Sequence, residues 1–302
     1  MDGASVRDGL VVIDKEPGWT SHDVVAKLRG VYRQKRIGHA GTLDPDATGV
    51  LLVGLGRVTR LLRYLQEAGK EYRARIVFGV ATDTLDAAGS VLDRQEMSFS
   101  RDELDAAGAS FVGEIEQVPP MVSAIKIGGR RLYDLARAGE EIERAARPVR
   151  IDALVVERFE PGQYPEATIR VACSSGTYIR SLAADLGAAL GGCAHLAELR
   201  RLRVGGFTVD DALTVEKVEA DPDAAVRVPT DAVRDLECVE VDGERARAVA
   251  HGATFAAPAL IGDREGSGPF AVVDDAGSLL AVYERRGAGV KPSVVLVGHG
   301  TA

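Results

Sequence analysis

The sequence contains little of what metal centres and disulfide frameworks require. Its three cysteines are widely spaced and form no CxxC pair, which argues against a zinc ribbon and against a disulfide framework. The five histidines include no HExxH motif, and the H-x-E plus PCxxC signature of zinc deaminases is also absent. We therefore expect a protein that holds no metal.

Targeting signals and nucleotide-binding loops are equally scarce. No apolar run approaches the roughly 20 residues that cross a bilayer, and the start of the sequence, with Asp2 and no Lys or Arg in residues 1–4, lacks the basic and apolar segments of a signal peptide. After Gly54 and Gly56, Thr59 stands where a GxGxxG motif needs its third glycine, and no GxxxxGK[ST] motif occurs. These observations predict a cytoplasmic protein without membrane contact.

The acidic total conceals two basic stretches. The formal net charge is −8, yet residues 15–75 hold twelve Lys/Arg against six Asp/Glu, and residues 120–205 hold thirteen against ten. Binding of a polyanion depends on a local basic surface rather than on the total charge. The stretches predict such a surface, with a solvated basic helix face as the alternative on charge alone.

Apolar patterning predicts an α+β layered core, because strands and helices follow one another without a regular βαβ alternation. Buried strands are expected at Leu10–Ile13 and Val50–Val53, with a helix from Ser21 and a loop over 37–49 between them. Past Pro229, short β-like runs separated by Gly and Asp predict a small β-rich C-terminal domain. The same criteria predict helices near 59–65, 101–111 and 177–190, and strands near 72–78, 150–159 and 167–173.

The loop Gly38–Gly49, with the sequence GHAGTLDPDATG, is the most informative stretch. Three glycines and Pro45 constrain its backbone, and they surround the carboxylate of Asp44. An Asp-Pro pair alone is typical of a turn. Twelve such residues between a basic helix and a buried strand instead predict a rigid loop that aims a catalytic group.

This loop resembles the TruB family of pseudouridine synthases, whose motif is close to GHxGxLDPxATG. The resemblance covers roughly residues 9–215, in the family's order. Asp46 departs from the pattern, because the family usually has an apolar residue there, and we assign it no role. The other matching stretches are the opening strand and turn Val12–Gly18, the tyrosine motif Lys70–Arg73, the arginine motif Ser175–Leu182 and the late contact strand Leu199–Leu202.

The resemblance implies a catalytic domain over 1–230, with a mixed, largely antiparallel sheet flanked by helices. It also implies an RNA-clamping insertion at about 121–148 and a small PUA-like domain over 235–302. The acidic balance of the last domain fits poorly with strong phosphate contact, so it either extends the tRNA footprint or stabilises the core. The basic residues expected in the insertion are Lys126, Arg130, Arg131 and Arg137.

The implied reaction isomerises uridine 55 in the T-loop of tRNA to pseudouridine, after the base is flipped out. Its N1–C1′ bond breaks, the uracil turns, and the ring rejoins through C5, so no cofactor or metal is required. Asp44 matches the catalytic aspartate and suits a nucleophile. Attack at C1′ and attack at C6 of the ring both remain open.

Arg180 is the expected partner of the catalytic carboxylate. It falls in the first turn of a predicted helix capped by Gly176 and Thr177, where a cation opposes the helix dipole, so a fixed anion is expected nearby. A guanidinium beside Asp44 would keep that carboxylate ionised. By the resemblance, Tyr72 and Tyr178 contact the flipped uracil, with Tyr72 as stacking platform whose hydroxyl can take the C5 proton.

The resemblance implies three further contacts. His39 matches a histidine that helps to hold the RNA open, and Lys15 and Leu199 match positions that line the site. The expected partner is the T-loop and T-arm of tRNA, bound by a monomer without an obligatory protein partner.

Three alternatives compete with this interpretation. The first is a non-catalytic tRNA-binding or folding factor on the same fold, and the joint presence of Asp44, Tyr72 and Arg180 argues against it. The second is the guide-RNA-dependent branch of the superfamily, which works inside a multi-protein particle. A glycoside hydrolase with paired carboxylates comes third, because no acid partner can be named from the sequence.

Overall fold

The computed structural model of the chain describes residues 6–121, 126–127, 130–131 and 144–296. The chain forms two compact units. The first unit comprises residues 1–45, 50–66 and 205–302, and the second comprises 46–49 and 67–204. The predicted division into 1–230 and 235–302 stays a prediction.

Strands and helices alternate irregularly, as expected for an α+β protein. The strands are β1 (Gly9–Lys15), β2 (Ile37–Ala40), β3 (Thr48–Leu55), β4 (Lys70–Phe78), β5 (Val80–Thr82), β6 (Val91–Arg94), β7 (Gly113–Gln117), β8 (Lys126–Ile127), β9 (Arg130–Arg131), β10 (Arg147–Glu160), β11 (Glu166–Cys173), β12 (Ala194–Val204), β13 (Phe207–Thr208), β14 (Glu237–Glu240), β15 (Phe255–Ala256), β16 (Phe270–Val273), β17 (Leu279–Arg286) and β18 (Gly289–Val295). The α-helices are α1 (Ser21–Tyr32), α2 (Leu62–Glu67), α3 (Arg101–Ala109), α4 (Ile179–Ala189), α5 (Val215–Ala220), α6 (Gly243–Ala250) and α7 (Ala257–Ile261), and 3-10 helices cover Gly56–Arg60, Val209–Asp211 and Pro229–Val233.

In the first unit, β1 lies next to β3, and β2 pairs antiparallel with the end of β3. Helix α1 starts at a capping box, in which Thr20 and Asp23 satisfy each other's backbone N–H groups. Its apolar stripe, including Val24 and Leu28, is buried in one core cluster with residues of β1 and β3. The predicted strand and helix are confirmed. The predicted loop over 37–49 is wrong at both ends, because pairing with β3 makes Ile37–Ala40 a strand and β3 already begins at Thr48.

The C-terminal part of the first unit is a five-stranded sheet in the order β14-β16-β17-β18-β15. Strands β14 and β16 are parallel, and the other pairs are antiparallel. Phe270, Val272 and Tyr283 fill its core with Val249 and Leu260 of the adjoining helices. The β-rich prediction is confirmed. The two short helices were missed, because eight and five residues carry too little periodicity.

The second unit is built on antiparallel strands in the order β12-β4-β11-β10-β7. Helix α3 packs against β10 and helix α4 against β12. Thr48 and Gly49 pair parallel with Arg200 and Arg201 of β12. Gly49 has φ +101°, and a Cβ there would lie 2.1 Å from the carbonyl oxygen of Arg201. The close approach therefore requires the glycine that ends the GHAGTLDPDATG motif.

The predicted insertion at about 121–148 is described only in part. Lys126–Ile127 and Arg130–Arg131 pair as a two-stranded antiparallel ladder. Arg137 and the rest of 132–143 lie outside the described residues, as do the side chains of the two short strands.

Candidate active site

Asp44 lies in the connection between β2 and β3, in the first unit. Its side chain is half-buried, whereas Pro45 and Asp46 are exposed. Leu43 and Ala47, one on each side, are buried. The loop therefore carries its carboxylate at the edge of the core and not on a mobile tip.

The residue before Asp44 is held by a serine of helix α1. The Leu43 N–H donates to Ser21 Oγ at 2.9 Å, and that hydroxyl lies 3.3 Å from the Leu43 carbonyl oxygen. Ser21 is itself buried. Its hydroxyl thus satisfies buried backbone groups directly beside Asp44, as a buried loop requires.

The residue after Asp44 is held by the turn that follows β1. The Lys15 ammonium is 0% exposed and donates to the carbonyl oxygens of Glu16, Trp19 and Pro45 at 2.9, 2.7 and 2.8 Å. The Gly18 N–H donates to the same Pro45 oxygen at 3.0 Å. Both neighbours of Asp44 are therefore anchored, which limits the motion of the carboxylate between them.

His39 lies on β2, opposite Val53 of β3, and is half-buried. Its ring meets the ring of His22 edge-on, with centroids 5.2 Å apart. His22 is exposed in the first turn of α1, and His39 lies on the strand that leads into the loop containing Asp44. The first unit thus holds Lys15, His39 and Asp44 in one continuous stretch of structure.

Tyr72 lies on β4 in the second unit and is 8% exposed. Its cross-strand partner on β12 is Arg201, and Leu199 is the partner of Ala74, two residues along β4. Paired residues on neighbouring strands share a face of the sheet. The register therefore places Tyr72, Leu199 and Arg201 on the same face.

Arg201 is a residue that sequence reasoning missed, and it is 1% exposed. Near it on the sheet lies another buried cation, Lys70, whose pKa is lowered to about 8 by burial and by the positive charge of Arg201. Burial also raises the pKa of the Cys173 thiol, the cross-strand neighbour of Lys70, to about 11. The motif LRRL contains two arginines, and only the strand register shows which one turns inward.

The opposite face of this sheet carries ion pairs. Arg73 and Arg170 both bind the carboxylate of Glu157 at 2.7 Å. Arg170 and Arg203 both contact Glu71 at 3.2 Å. These ion pairs engage part of the positive charge of the two basic stretches, so fewer of their cations are available to a polyanion than the number of Lys and Arg suggests.

Arg180 lies in the first turn of α4, as predicted, and is 5% exposed. Its Nη1 is 3.3 Å from Oδ2 of Asp86 and donates to the Thr84 carbonyl at 3.2 Å. The loop that provides these contacts is tied to β12 by backbone bonds between Leu85 or Ala87 and Leu196. Within the second unit, the anion beside Arg180 is Asp86, and the expected pairing of Arg180 with Asp44 stays a prediction.

Tyr178 is the N-cap of α4 and is half-buried. The predicted cap at Gly176 and Thr177 is wrong, because the Thr177 hydroxyl bonds to the Ser174 carbonyl in the preceding turn at 3.0 Å. Instead, the side chain of Gln117 bonds to both polar groups of the Tyr178 backbone. The second unit therefore holds Tyr72, Tyr178, Arg180 and Leu199.

Within the part of the chain that the structure describes, no group of three or more His, Cys, Asp or Glu could hold a metal ion. No helix among those residues is long and apolar enough to cross a membrane.

Known proteins match this chain over most of its length. A model described as the N-terminal domain of the TruB family of pseudouridylate synthases matches residues 29–179, and one described as the tRNA pseudouridylate synthase B C-terminal domain matches 180–232. The tRNA pseudouridine synthase B of Thermobifida fusca is 44% identical, over 97% of this chain and 100% of that protein. The protein of the same name from Streptococcus thermophilus is 42% identical, over 95% of this chain and 98% of its own.

Solved structures agree with this result. The structure of a Cbf5-Nop10-Gar1 complex contains a chain with a TM-score of 0.75 and 28% identity, covering 95% of this chain and 84% of that one. An H/ACA RNP bound to a substrate RNA containing 2′-deoxyuridine gives a TM-score of 0.74 and 26% identity, covering 96% and 85%.

Together, these matches define the class of protein as an isomerase that makes pseudouridine. The chain belongs to the TruB family of pseudouridine synthases.

Proposed function

We propose that this protein isomerises uridine 55 in the T-loop of tRNA to pseudouridine, with Asp44 as the nucleophile. The observation that carries the proposal is the bonding on both sides of Asp44, at Leu43 and at Pro45. It occurs in a chain that is 44% identical to a protein named tRNA pseudouridine synthase B. A carboxylate that must meet one carbon atom of a bound nucleotide needs such a preorganised backbone.

The carboxylate attacks either C1′ of the ribose or C6 of the uracil, and both routes release the N1–C1′ bond. The uracil then turns, C5 bonds to C1′, the bond to Asp44 breaks, C5 loses its proton and N1 gains one. Atoms and electrons balance without a co-reactant. Flipping the uridine out of the folded T-loop costs a few kcal/mol, which stacking on an aromatic ring offsets by about 1–3 kcal/mol.

The other residues act on the base or on its charge. Tyr72 provides the ring on which the uracil stacks, and its hydroxyl receives the C5 proton. Tyr178 and Leu199 contact the uracil, and the Arg180 guanidinium favours the ionised form of the nucleophile. His39, from the first unit, holds the RNA open.

Lys15 acts by holding the loop that carries the nucleophile. Its bond to the Pro45 carbonyl supports this role, because Pro45 directly follows Asp44. The family resemblance, and not this bond, is the reason for proposing that Lys15 also lines the uridine site.

The proposal includes a monomer that acts in the cytoplasm without an obligatory protein partner. Light scattering of the purified protein with and without tRNA tests the oligomeric state, and a stable dimer in both samples would contradict it.

The decisive experiment incubates purified protein with an unmodified tRNA transcript and maps pseudouridine at base resolution. We expect one modified site, uridine 55, and loss of modification when that uridine is replaced by cytidine. Binding without conversion would instead favour the non-catalytic folding factor. Modification only in the presence of a guide RNA would favour the guide-dependent branch.

A further inference from the structure

The side chain of Gln117 makes a contact that the proposed chemistry does not use. Gln117 is the last residue of β7 and is 1% exposed. Its Oε1 accepts from the Tyr178 N–H at 2.7 Å, and its Nε2 donates to the Tyr178 carbonyl at 3.0 Å. One buried amide therefore satisfies both backbone polar groups of one residue.

This pairing resembles an added residue of a β-ladder, because a side-chain amide presents the same donor and acceptor as a peptide group. Tyr178 needs it for a physical reason. As the N-cap of α4 it has extended backbone angles, φ −100° and ψ 109°, and within the described chain no side-chain bond of its own caps the helix. When no side chain caps a helix, its first backbone N–H groups lack a partner within the helix, and no capping bond fixes the direction in which the chain enters it.

The contact reaches two residues with proposed roles at once. Tyr178 itself is bonded, and Arg180 follows it within the first turn of the same helix. A rotation of the Tyr178 peptide would move the tyrosine ring and change the direction in which the helix leaves the turn. Displacement of a positioned group by about 1 Å can cost on the order of 100-fold in rate.

A second bond joins the same two segments without touching Tyr178. The Ser181 hydroxyl donates to the Val118 carbonyl at 2.8 Å. Ser181 is likewise buried, at 4% exposure. It therefore provides a control with the same location and burial but a different target.

We propose that Gln117 is a positioning residue, which holds the Tyr178 peptide so that Tyr178 and Arg180 address the target uridine. The inference rests on the proposed roles of those two residues. It adds a residue from β7 to the site, although β7 carries none of the matched motifs.

The test uses Gln117→Glu, which keeps the shape of the side chain. An ionised glutamate accepts from the Tyr178 N–H but repels the Tyr178 carbonyl, whereas a protonated one again has one donor and one acceptor. Burial and that carbonyl raise the pKa of the introduced carboxyl, and exposed Arg147, the cross-strand partner of this position, opposes the rise. The positioning role therefore predicts a defect that depends on pH.

The variants are full-length Gln117→Glu, Gln117→Leu and Ser181→Ala. For each, we measure three properties from about pH 5.5 to 8.5: single-turnover conversion of an unmodified tRNA transcript, tRNA affinity and thermal midpoint. At the upper pH we expect Gln117→Glu to convert at least about tenfold more slowly, with tRNA affinity within about threefold of wild type. Its rate relative to wild type rises as the pH falls. Gln117→Leu is slow at every pH, and Ser181→Ala stays within about twofold of wild type.

Two results overturn the inference. The first is that Gln117→Glu and Gln117→Leu both convert the tRNA at rates within twofold of wild type, although Arg180→Met is inactive. The other is a pH-independent defect that only follows the thermal midpoint and is shared by Ser181→Ala. Near-normal conversion by both Arg180→Met and Tyr178→Phe would instead overturn the roles on which the inference rests.

Discussion

The loop that carries Asp44 and the turn that carries Tyr178 and Arg180 are held in different ways. The loop is anchored by Ser21 and Lys15, at most 30 positions away in the chain. Tyr178 is bonded from 61 positions away, and Arg180 from 96. The loop is therefore built by its own neighbourhood, whereas the turn depends on the register of a whole sheet.

The difference also concerns redundancy. Independent groups hold the loop on both sides of Asp44, so loss of one leaves the others. The Tyr178 backbone depends on a single side chain outside its own segment for its two-point contact. We therefore expect the loss of one anchoring side chain to lower activity less in the Asp44 loop than in the Tyr178 turn.

The largest effect is expected at the nucleophile. Asp44→Asn should lower the single-turnover rate by more than about 1,000-fold while tRNA binding survives, because an amide cannot replace a carboxylate nucleophile. Asp46→Asn, two residues on and exposed, is the matched control and should stay active. Turnover near wild type in the Asp44 variant would remove Asp44 from its role.

Tyr72 tests the sheet of the second unit. If the hydroxyl receives the C5 proton, Tyr72→Phe should bind and flip the uridine yet convert it about 10- to 100-fold more slowly, stalling after glycosidic cleavage. Tyr72→Leu should also bind the flipped base less well, because stacking is lost. Single-turnover assays and analysis of the bound RNA distinguish these cases. Conversion by Phe at the wild-type rate would leave stacking as the sole role.

Ser21→Ala measures the redundancy of the loop. The buried Leu43 N–H loses its partner, which costs about 1–3 kcal/mol of stability, but Lys15 and Gly18 still hold Pro45. We expect a rate loss of no more than about tenfold, smaller than that of Gln117→Leu. Thr20→Ala is the control, since it weakens the cap of the same helix by about 1 kcal/mol without touching the loop. A loss equal to that of Asp44→Asn would show that the anchors are not redundant.

Cations of the first basic stretch also differ in how they are held, because some are exposed and others are bound in ion pairs. Lys35 is exposed in the first basic stretch, whereas Arg73 is paired with Glu157 at 2.7 Å. Lys35→Gln should weaken tRNA binding a few-fold and reduce the salt slope of log Kd by about one, and Arg73→Gln should change it less. Fluorescence titrations at several salt concentrations measure both. Binding by wild type that is independent of salt would contradict the basic footprint altogether.

The last comparison concerns stability and not activity, and involves the buried lysines. Lys15 donates hydrogen bonds to three carbonyl oxygens. The pKa of Lys70 is lowered from 10.5 to about 8, mainly by burial and also by the positive charge of Arg201. Between these values the unfolded chain binds more protons than the folded one, so the free energy of unfolding rises with pH across about pH 8 to 10.5 and the penalty is complete below pH 8.

Lys70→Met removes this dependence. The difference in unfolding free energy, wild type minus Lys70→Met, should therefore increase by on the order of 2 kcal/mol between pH 7.5 and 10.5. Urea unfolding of both proteins at the two pH values measures it, and other titrating groups largely cancel in the difference. A constant difference would mean that the pKa of Lys70 is close to its ordinary value.

The sequence by itself determined the α+β class, the strand and helix around the Asp44 loop, and the family. These depend on local patterns: the Thr20–Asp23 cap, the apolar stripe of α1 and the twelve-residue motif Gly38–Gly49. The cap, the stripe and most of the motif arise from contacts within a few tens of residues, so the sequence alone predicts them. The requirement for Gly49 comes from the approach of Arg201 on β12.

Only the tertiary structure decided which of the two arginines in LRRL is buried, that Asp86 faces Arg180, and that Gln117 holds Tyr178. Strand register has a period of two, so a shift of one residue would exchange Arg200 and Arg201 between the faces of the sheet. That register is set by pairing between β12 and β4, more than a hundred residues apart in the chain. Long-range pairing leaves no local signal, and for that physical reason the sequence could name Tyr178 and Arg180 but not the residues that hold them.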